Sequence, residues 1–263
     1  MGKKYELTEE TKEFYGRTLH RIKALKNFGD VEVGDLGGYI ESESNLIQEG
    51  CAWVYGDAMV FDNAKVCGDA MVFDNAKVYG DAMVFDNAKV RGNAMVFVNA
   101  MVRGNAMVFD NAMVRGDAMV FDNAKVRGNA MVFDNAMVRG NAMVFDNAMV
   151  RGNAKVCGNA MVFDNAKVYG DAMVFGNAKV FDNAKVFGNA EIKGNTDYMV
   201  FKNWWSSRRY FTWTRSNNMW KVGCFYGTGK ELVEKANKDS ELSGREYERV
   251  VKYVKSILAD EKK

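Results

Sequence analysis

A dense group of aromatic, basic and hydroxyl side chains between residues 204 and 215 offers the clearest binding chemistry in this sequence. Aromatic rings stack on flat ligands, and guanidinium groups form paired hydrogen bonds with phosphate oxygens. The combination predicts a site for a flat anionic ligand such as a nucleotide. The predicted ligand-binding residues are Trp205, Ser206, Ser207, Arg208, Arg209, Tyr210, Trp213 and Arg215.

The segment RYFTWTR has the β-branched and aromatic composition of a strand. In extended backbone, Arg209, Phe211, Trp213 and Arg215 share one face, so that two rings lie between two guanidinium groups. A second interpretation stays open, in which the rings form the core of a small domain and the arginines its solvated rim. Downstream, GCFYGTG precedes a predicted helix and could cradle a phosphate at the helix N-terminus, although it does not match a P-loop.

Groups suited to general-base catalysis or metal binding are scarce. The chain has one histidine, His20, and four cysteines without CxxC or metal-ligand spacing. We therefore expect reduced thiols, no cofactor, no metal and no enzymatic activity. The charged first residues do not resemble a signal peptide, and no run of 18 apolar residues occurs, which predicts a cytoplasmic protein without a membrane segment.

Most of the chain is a short repeat. From Val54 to Ile192 an aliphatic residue recurs every six positions, in 24 hexads of the form V-x-[GD]-[ND]-A-x. Valine favours extended backbone, whereas Gly, Asn and Asp tolerate the left-handed conformations of tight corners. The period predicts a solenoid whose valines point inward, whose alanines fit the corners, and whose asparagines hydrogen-bond from coil to coil.

The residue that follows each valine alternates between Phe and Arg, Tyr or Cys, so the sequence period is twelve. Two geometries fit. A flat solenoid of twelve residues per coil would collect every Phe on one apolar wall, larger than soluble monomers usually expose. A three-sided solenoid of eighteen residues per coil would stack each Phe between arginines or tyrosines. We expect the three-sided form, with an apolar wall remaining open as a dimer interface.

These hexads resemble those of the hexapeptide-repeat proteins. The resemblance implies a left-handed parallel β-helix with three hexads per coil, and hence about eight coils, or ~38 Å at ~4.8 Å per coil. Many members of that family are acyltransferases that use a histidine base and form trimers. Here no histidine and no excursion loop occurs between Val54 and Val186, so we expect the rod to be non-catalytic.

The expected fold class is mainly β, with residues 1–45 as an N-terminal β cap, 46–196 as the solenoid and 197–263 as a small α+β domain. In the cap, residues 17–28 and 31–42 read as strands around a turn at Gly29. In the last domain we expect three strands and two helices, at 230–238 and 244–259, with Ser243 as the N-cap of the second. Residues 197–263 hold fourteen basic and nine acidic side chains, whereas the repeat is neutral.

The whole chain, and in particular KVGCFYGTGKELVEKA followed by YERVVKYVKSIL, also resembles phage- and prophage-encoded proteins of unassigned role. We therefore hypothesise a non-enzymatic binding protein. Its solenoid would be a spacer that forms a homodimer or homotrimer, and its C-terminal domain would bind a nucleotide-like anion or a host protein, as an inhibitor of host defence. Duplex nucleic acid and membranes are not expected partners. The alternatives are a lateral-assembly module and an acyltransferase.

Overall fold

The computed structural model describes residues 2–261. It begins with an antiparallel sheet made of β1 (Tyr5–Phe14), β2 (Arg17–Ala24) and β3 (Leu36–Ile40), followed by a 3-10 turn at Glu43–Asn45. The turn predicted at Gly29 is present, since Phe28 and Val31 exchange backbone hydrogen bonds across it. The sequence reading missed β1, because its Glu, Thr and Lys residues lie mostly at the surface and leave no apolar alternation.

Twenty-four short parallel strands, here called rungs, follow in three sheets. Face 1 has rungs Met59–Val60, Lys77–Gly80, Met95–Val98, Met113–Arg115, Met131–Val132, Met149–Val150, Lys167–Val168 and Lys185–Val186. Face 2 has Lys65–Val66, Met83–Val84, Met101–Val102, Met119–Val120, Met137–Val138, Lys155–Val156, Met173–Val174 and Glu191–Ile192. Face 3 has Trp53–Val54, Met71–Val72, Lys89–Val90, Met107–Val108, Lys125–Val126, Met143–Val144, Met161–Val162 and Lys179–Val180.

The pairing register decides between the two geometries that the sequence allowed. Val114 pairs with Val132 and Val132 with Val150, so each rung lies beside the rung eighteen residues further along the chain. Eighteen residues per coil give a three-sided rod, as expected, and exclude the flat twelve-residue coil.

The inside of the rod is filled by the residues that the hexads predicted. The inward-facing valines and the corner alanines of the hexads are completely buried, whereas Val98, which lies at a left-handed corner position, is exposed. The corners take left-handed backbone, with φ of 59° at Asp62 and 68° at Gly68. At Gly68 a Cβ would approach the backbone nitrogen of Asp86 at 2.9 Å, so the close stacking of coils there requires glycine.

Outward-facing rings and guanidinium groups stack along the rod, as predicted. Each Arg–ring pair spans eighteen residues, from guanidinium carbon to ring centroid: Arg91–Phe109 5.5 Å, Arg103–Phe121 4.8 Å, Arg115–Phe133 5.0 Å, Arg127–Phe145 4.8 Å and Arg151–Tyr169 5.2 Å. Such contacts contribute about 0.5–1 kcal/mol each at exposed sites. The alternation between phenylalanine and arginine hexads is interrupted at Cys157, where two glycine-containing hexads are adjacent. As a result, Phe163 stacks on Phe145 of the preceding coil, and Phe181 stacks on Phe163.

Asparagine ladders run along the corners. In one of them the Nδ2 of each asparagine donates to the Oδ1 of the asparagine one coil ahead, through Asn93, Asn111, Asn129, Asn147 and Asn165, at 3.1–3.5 Å. The amide group can both donate and accept, so one residue type extends the ladder without a break. The predicted coil-to-coil bonding of asparagines is therefore confirmed.

The rod starts earlier than the regular hexads do. Ile40 of β3 pairs with Val60, and Leu46 pairs with Val66, a spacing of twenty residues rather than eighteen. The two extra residues lie in the last corner before Val54. With this partial coil the solenoid has about nine turns instead of the eight expected. At Gly38 a Cβ would lie 2.5 Å from Ala58 O, so β3 could not lie this close to the first coil with a larger residue there.

Side chains from β1 and the residue before it close the open end of the first coil. Lys4 is completely buried, and its Nζ donates to Ala52 O at 2.9 Å and Glu49 O at 3.3 Å. The Tyr5 hydroxyl donates to Leu46 O at 2.6 Å. Backbone carbonyls that have no preceding rung are thereby satisfied.

The C-terminal domain is a four-stranded antiparallel sheet covered by two helices: β4 (Tyr198–Lys202), β5 (Tyr210–Thr214), β6 (Met219–Val222), β7 (Phe225–Gly227), α1 (Gly229–Asp239) and α2 (Glu241–Asp260). The expected third strand is in fact two, because Gly223, with φ of 54°, turns the chain between Val222 and its partner Phe225. Ser240 rather than Ser243 caps α2, since its Oγ accepts from Ser243 N at 3.1 Å.

Lys4 gives the folded protein a predictable pH dependence. Burial lowers the pKa of Lys4 from 10.5 to about 8. Below pH 8 the amine is protonated in both states, whereas between pH 8 and ~10.4 it is neutral only when folded, so stability rises with pH across that window. We expect the melting temperature of the wild type to increase relative to Lys4→Met between pH 8 and pH 10. The control is Lys3→Met, at the exposed neighbouring residue. If the difference in melting temperature between the wild type and Lys4→Met stayed constant from pH 8 to pH 10, the lowered pKa of Lys4 would be contradicted.

Candidate functional site

The C-terminal sheet is enclosed on both sides. Phe211 and Trp213 of β5 and Trp220 of β6 point to the helix side, where they are 0–2% exposed. Residues of opposite parity point to the rod, where Tyr198 and Val200 pack against the core of the solenoid. Alternation along each strand therefore produces one core face and one docking face.

The docking face of the C-terminal sheet caps the last coil of the rod. The last coil has no following rung, and one backbone N–H on each of its three faces is instead bonded to a side-chain oxygen. The pairs are Lys179 N to Asn195 Oδ1 at 2.9 Å, Lys185 N to Thr212 Oγ1 at 2.8 Å, and Glu191 N to Ser216 Oγ at 2.7 Å. These bonds fix β5 directly over the last rung of face 1.

That docking gathers positive charge at one place. Lys167 and Lys185 occupy adjacent rungs of face 1 in register, and among the 24 rungs they are the one pair of neighbouring lysines. Lys221 pairs with Thr212 across β5 and β6, so it lies beside Lys185, and its Nζ is 4.6 Å from the centre of the Phe187 ring. Lys202 and Arg209 extend the group along the sheet. We call Lys167, Lys185, Lys202, Arg209 and Lys221 the basic strip.

Burial and neighbouring positive charges disfavour the protonated form of Lys185 in the strip. The pKa of Lys185 is lowered by burial, and then further by the positive charges of Lys167, Lys221 and Arg209. Burial also lowers the pKa of Lys221. Within residues 2–261 no member of the strip forms a salt bridge with a carboxylate. Such a concentration of unpaired cations attracts anions.

The loop between β4 and β5 carries most of the residues predicted from the sequence. Buried Asn203 shapes it: its Nδ2 donates to the Tyr247 hydroxyl at 2.9 Å, its Oδ1 accepts from Ser206 N at 2.9 Å and from Ser206 Oγ at 3.1 Å, and its backbone N–H donates to Arg209 O. Trp205 turns inward, with its ring 4.9 Å from that of Tyr247. Ser206 therefore helps to hold the loop in place, and Ser207 Oγ accepts from Arg209 N at 3.4 Å.

Charged and aromatic side chains of the same loop face solvent. Arg208, held at φ of 55°, and Arg209 are both exposed, and Trp204 is 65% exposed. Tyr210 is 36% exposed, and Lys202 Nζ lies 5.7 Å from the centre of its ring. The structure thus places Arg209 in the basic strip and Tyr210 against Lys202 of that strip, with Arg208 next to Arg209 in the chain.

Two predicted residues lie elsewhere. Trp213 is fully buried on the helix side, and its Nε1 donates to Asn218 Oδ1, so its ring does not face the basic strip. Arg215, at the far end of β5, pairs with Glu261 and donates to Thr196 O. The open face of alternating rings and guanidinium groups is absent, because helices cover the side of the sheet on which those rings lie.

The sequence reading missed the contribution of the rod. Lys167 and Lys185 follow Met131 and Met149 on face 1, so the last two rungs of this face both carry lysine, whereas the earlier Lys77 lies between Met59 and Met95. The signal becomes visible when the sequence is written in rows of eighteen, whereas the obvious period of twelve conceals it.

Other chemistry-bearing residues do not form a recognisable centre. Within residues 2–261, no three His, Cys, Asp or Glu side chains are grouped closely enough to hold a metal ion. The Nδ1 of His20 lies 3.2 Å from Thr8 O in the N-terminal sheet. In the same described part of the chain, neither α1 nor α2 is apolar enough to cross a membrane.

Comparison with known proteins gives one informative likeness. No protein-family model matches the chain. An uncharacterized acetyltransferase of Escherichia coli (strain K12), YdcK, is 36% identical over 73 residues, a match that covers 24% of this chain and 22% of the relative. The chain therefore spans about a fifth of the length of that curated protein. Together with the coils of eighteen residues, the match is consistent with a solenoid of hexapeptide repeats.

The lysine pair on face 1 should lower stability. Like charges directly opposite each other on neighbouring strands are destabilising, by about 0.2–1 kcal/mol. We expect Lys185→Met to raise the free energy of unfolding by that amount, and high salt to reduce the gain. Lys125→Met is the matched control, because both neighbours of Lys125 are methionines. Equal effects of the two substitutions would show that Lys167 and Lys185 do not repel each other.

Proposed function

We propose that this protein is a non-enzymatic binding protein of the phage or prophage type. Its solenoid acts as a spacer and oligomerisation scaffold, and its C-terminal domain binds a nucleotide-like anion with the basic strip and Arg208. The observation that carries the proposal is the in-register pair Lys167 and Lys185 beside Lys221, with no carboxylate bound to any of them in the described chain.

A bound anion would relieve the repulsion between neighbouring positive charges that the protein has without a ligand. The phosphate groups of a nucleotide would lie between cations that otherwise repel one another, and partial burial of Lys185 and Lys221 strengthens each of those attractions. The exposed rings of Trp204 and Tyr210 provide surfaces on which a base can stack. Both kinds of contact meet at one edge of the domain.

The dimensions favour a small ligand over a duplex. The basic strip covers two rungs and one edge of a four-stranded sheet, whereas the arginines of the rod are divided two to a face and are mostly occupied by rings. A duplex-binding protein instead neutralises phosphates along a continuous basic surface. An anionic patch on a host protein would use the same cations, which fits the proposed role against host defence in the cytoplasm of the host.

Calorimetric titration tests the ligand class. We expect ATP, a cyclic dinucleotide or a short single-stranded RNA to bind, with an affinity that falls as salt rises. Arg208→Ala/Arg209→Ala and Lys185→Met/Lys221→Met should each weaken binding at least tenfold. The control is Arg103→Ala/Arg127→Ala, which removes two arginines from the middle of the rod. Absence of heat with every ligand, or binding that is insensitive to both test variants, would refute the proposal.

The likeness to the acetyltransferase YdcK favours a second candidate, a hexapeptide acyltransferase whose site forms between subunits. The oligomerisation that both candidates share would use half-buried methionines on successive rungs: Met95, Met113, Met131 and Met149 on face 1, and Met83, Met101, Met119 and Met137 on face 2. His20, the one histidine of the chain, lies in the N-terminal sheet and away from the rungs.

Sedimentation with and without acetyl-coenzyme A separates these possibilities. The binding-protein proposal predicts a dimer or trimer that does not take up the coenzyme. A monomer at high concentration would remove the oligomerisation role from the rod. Saturable uptake of acetyl-coenzyme A by the oligomer would favour the acyltransferase.

A further inference from the structure

A small cavity lies on the helix side of the C-terminal sheet, opposite the basic strip. Its volume is about 180 Å³, and its floor is formed by Trp213, Trp220, Val251 and Val254. Gly229, the first residue of α1, lies at its rim. The cavity is therefore apolar at its base and meets the start of a helix at its mouth.

The indole N–H of Trp220, a residue that lines this cavity, has no protein acceptor in the described chain. Trp220 is 2% exposed, and within residues 2–261 its Nε1–H makes no hydrogen bond, whereas Trp213 Nε1 donates to Asn218 Oδ1 at 2.9 Å. A Cβ built at Gly229 would lie 3.1 Å from Trp220 Nε1, so the indole nitrogen lies close to the first residue of α1 at the rim of the cavity. Indole N–H groups of largely enclosed tryptophans normally find a partner, so this one is a donor that a ligand in the cavity can satisfy.

The start of α1 adds further donors and positive charge. In the described chain the backbone N–H groups of Gly229 and Lys230 have no protein acceptor, since the capping box of Thr228 and Glu231 engages only the N–H groups of those two residues. Helix N-termini favour anions. The side chains of Lys230 and Lys255 line the same opening.

We propose that this cavity binds a small organic monoanion, namely a carboxylate on a compact apolar body. The carboxylate would accept from the indole N–H of Trp220 and the N–H groups of α1, while the apolar body fills the floor. The volume suits such a body, because an apolar cavity of about 150 Å³ binds benzene. The Glu231 carboxylate, which accepts from Thr228 N at 2.8 Å, disfavours a dianion such as a phosphate monoester.

Benzoate is the probe, and the indole N–H signals of the five tryptophans in a nitrogen–proton correlation spectrum provide the readout. We expect benzoate to shift the Trp220 signal saturably, and benzyl alcohol and phenyl phosphate to bind at least tenfold more weakly. Trp220→Phe, which also assigns the signal, should weaken benzoate binding about tenfold, as loss of a hydrogen bond to a charged group does. Lys255→Met should weaken it about threefold.

Gly229→Ala serves as a second blocking variant that keeps both tryptophans, because its methyl group would lie 2.8 Å from Val251 Cγ1 and 3.1 Å from Trp220 Nε1. It should abolish the shift, whereas Lys235→Met, on the exposed side of α1, should leave it unchanged. No shift with benzoate would overturn the proposal. Equal binding of benzyl alcohol or phenyl phosphate, or full binding by Gly229→Ala, would also overturn it.

Discussion

The backbone groups at both ends of a parallel stack of rungs need hydrogen-bond partners from outside the stack, and the rest of this structure depends on that constraint. Each rung bonds to the rungs eighteen residues before and after it, so the first and last coils present backbone groups without partners. Leaving one such buried group unpaired costs about 1–3 kcal/mol. At one end Lys4 and Tyr5 donate to the free carbonyls, and at the other Thr212 and Ser216 accept from the free N–H groups.

The candidate site is a geometric consequence of that closure. Because Thr212 accepts a hydrogen bond from the backbone of Lys185, β5 lies over the last rung of face 1. Lys221, which pairs with Thr212 from β6, therefore lies near Lys185. The same docking leaves the other face of the sheet to the helices, which encloses Trp213 and Trp220 and creates the small cavity. A single structural requirement thus separates a solvated cationic edge from an apolar, helix-covered interior.

Local chemistry made the rod predictable from the sequence. Valine inside, alanine at the corner and Gly or Asp at left-handed positions follow from the properties of single residues, and Arg91 over Phe109 follows once the coil has eighteen residues. The candidate site could be predicted only in part. The loop with Arg208 could be recognised from its composition. The surroundings of Lys185, in contrast, depend on contacts between segments that are distant in the sequence. The burial of Trp213 depends on which face of the sheet the helices cover.

The mismatch between the twelve-residue sequence unit and the eighteen-residue coil has a consequence for the orientation of the two ends. One unit amounts to two-thirds of a coil, so gaining or losing it would rotate the C-terminal domain by about 240° around the rod axis while moving it only about 3 Å along that axis. A gain of three units would restore the original orientation of the domain and place it two coils further along the rod. The number of twelve-residue units therefore determines mainly the orientation of the C-terminal domain around the rod axis, and only secondarily its distance from the N-terminal sheet.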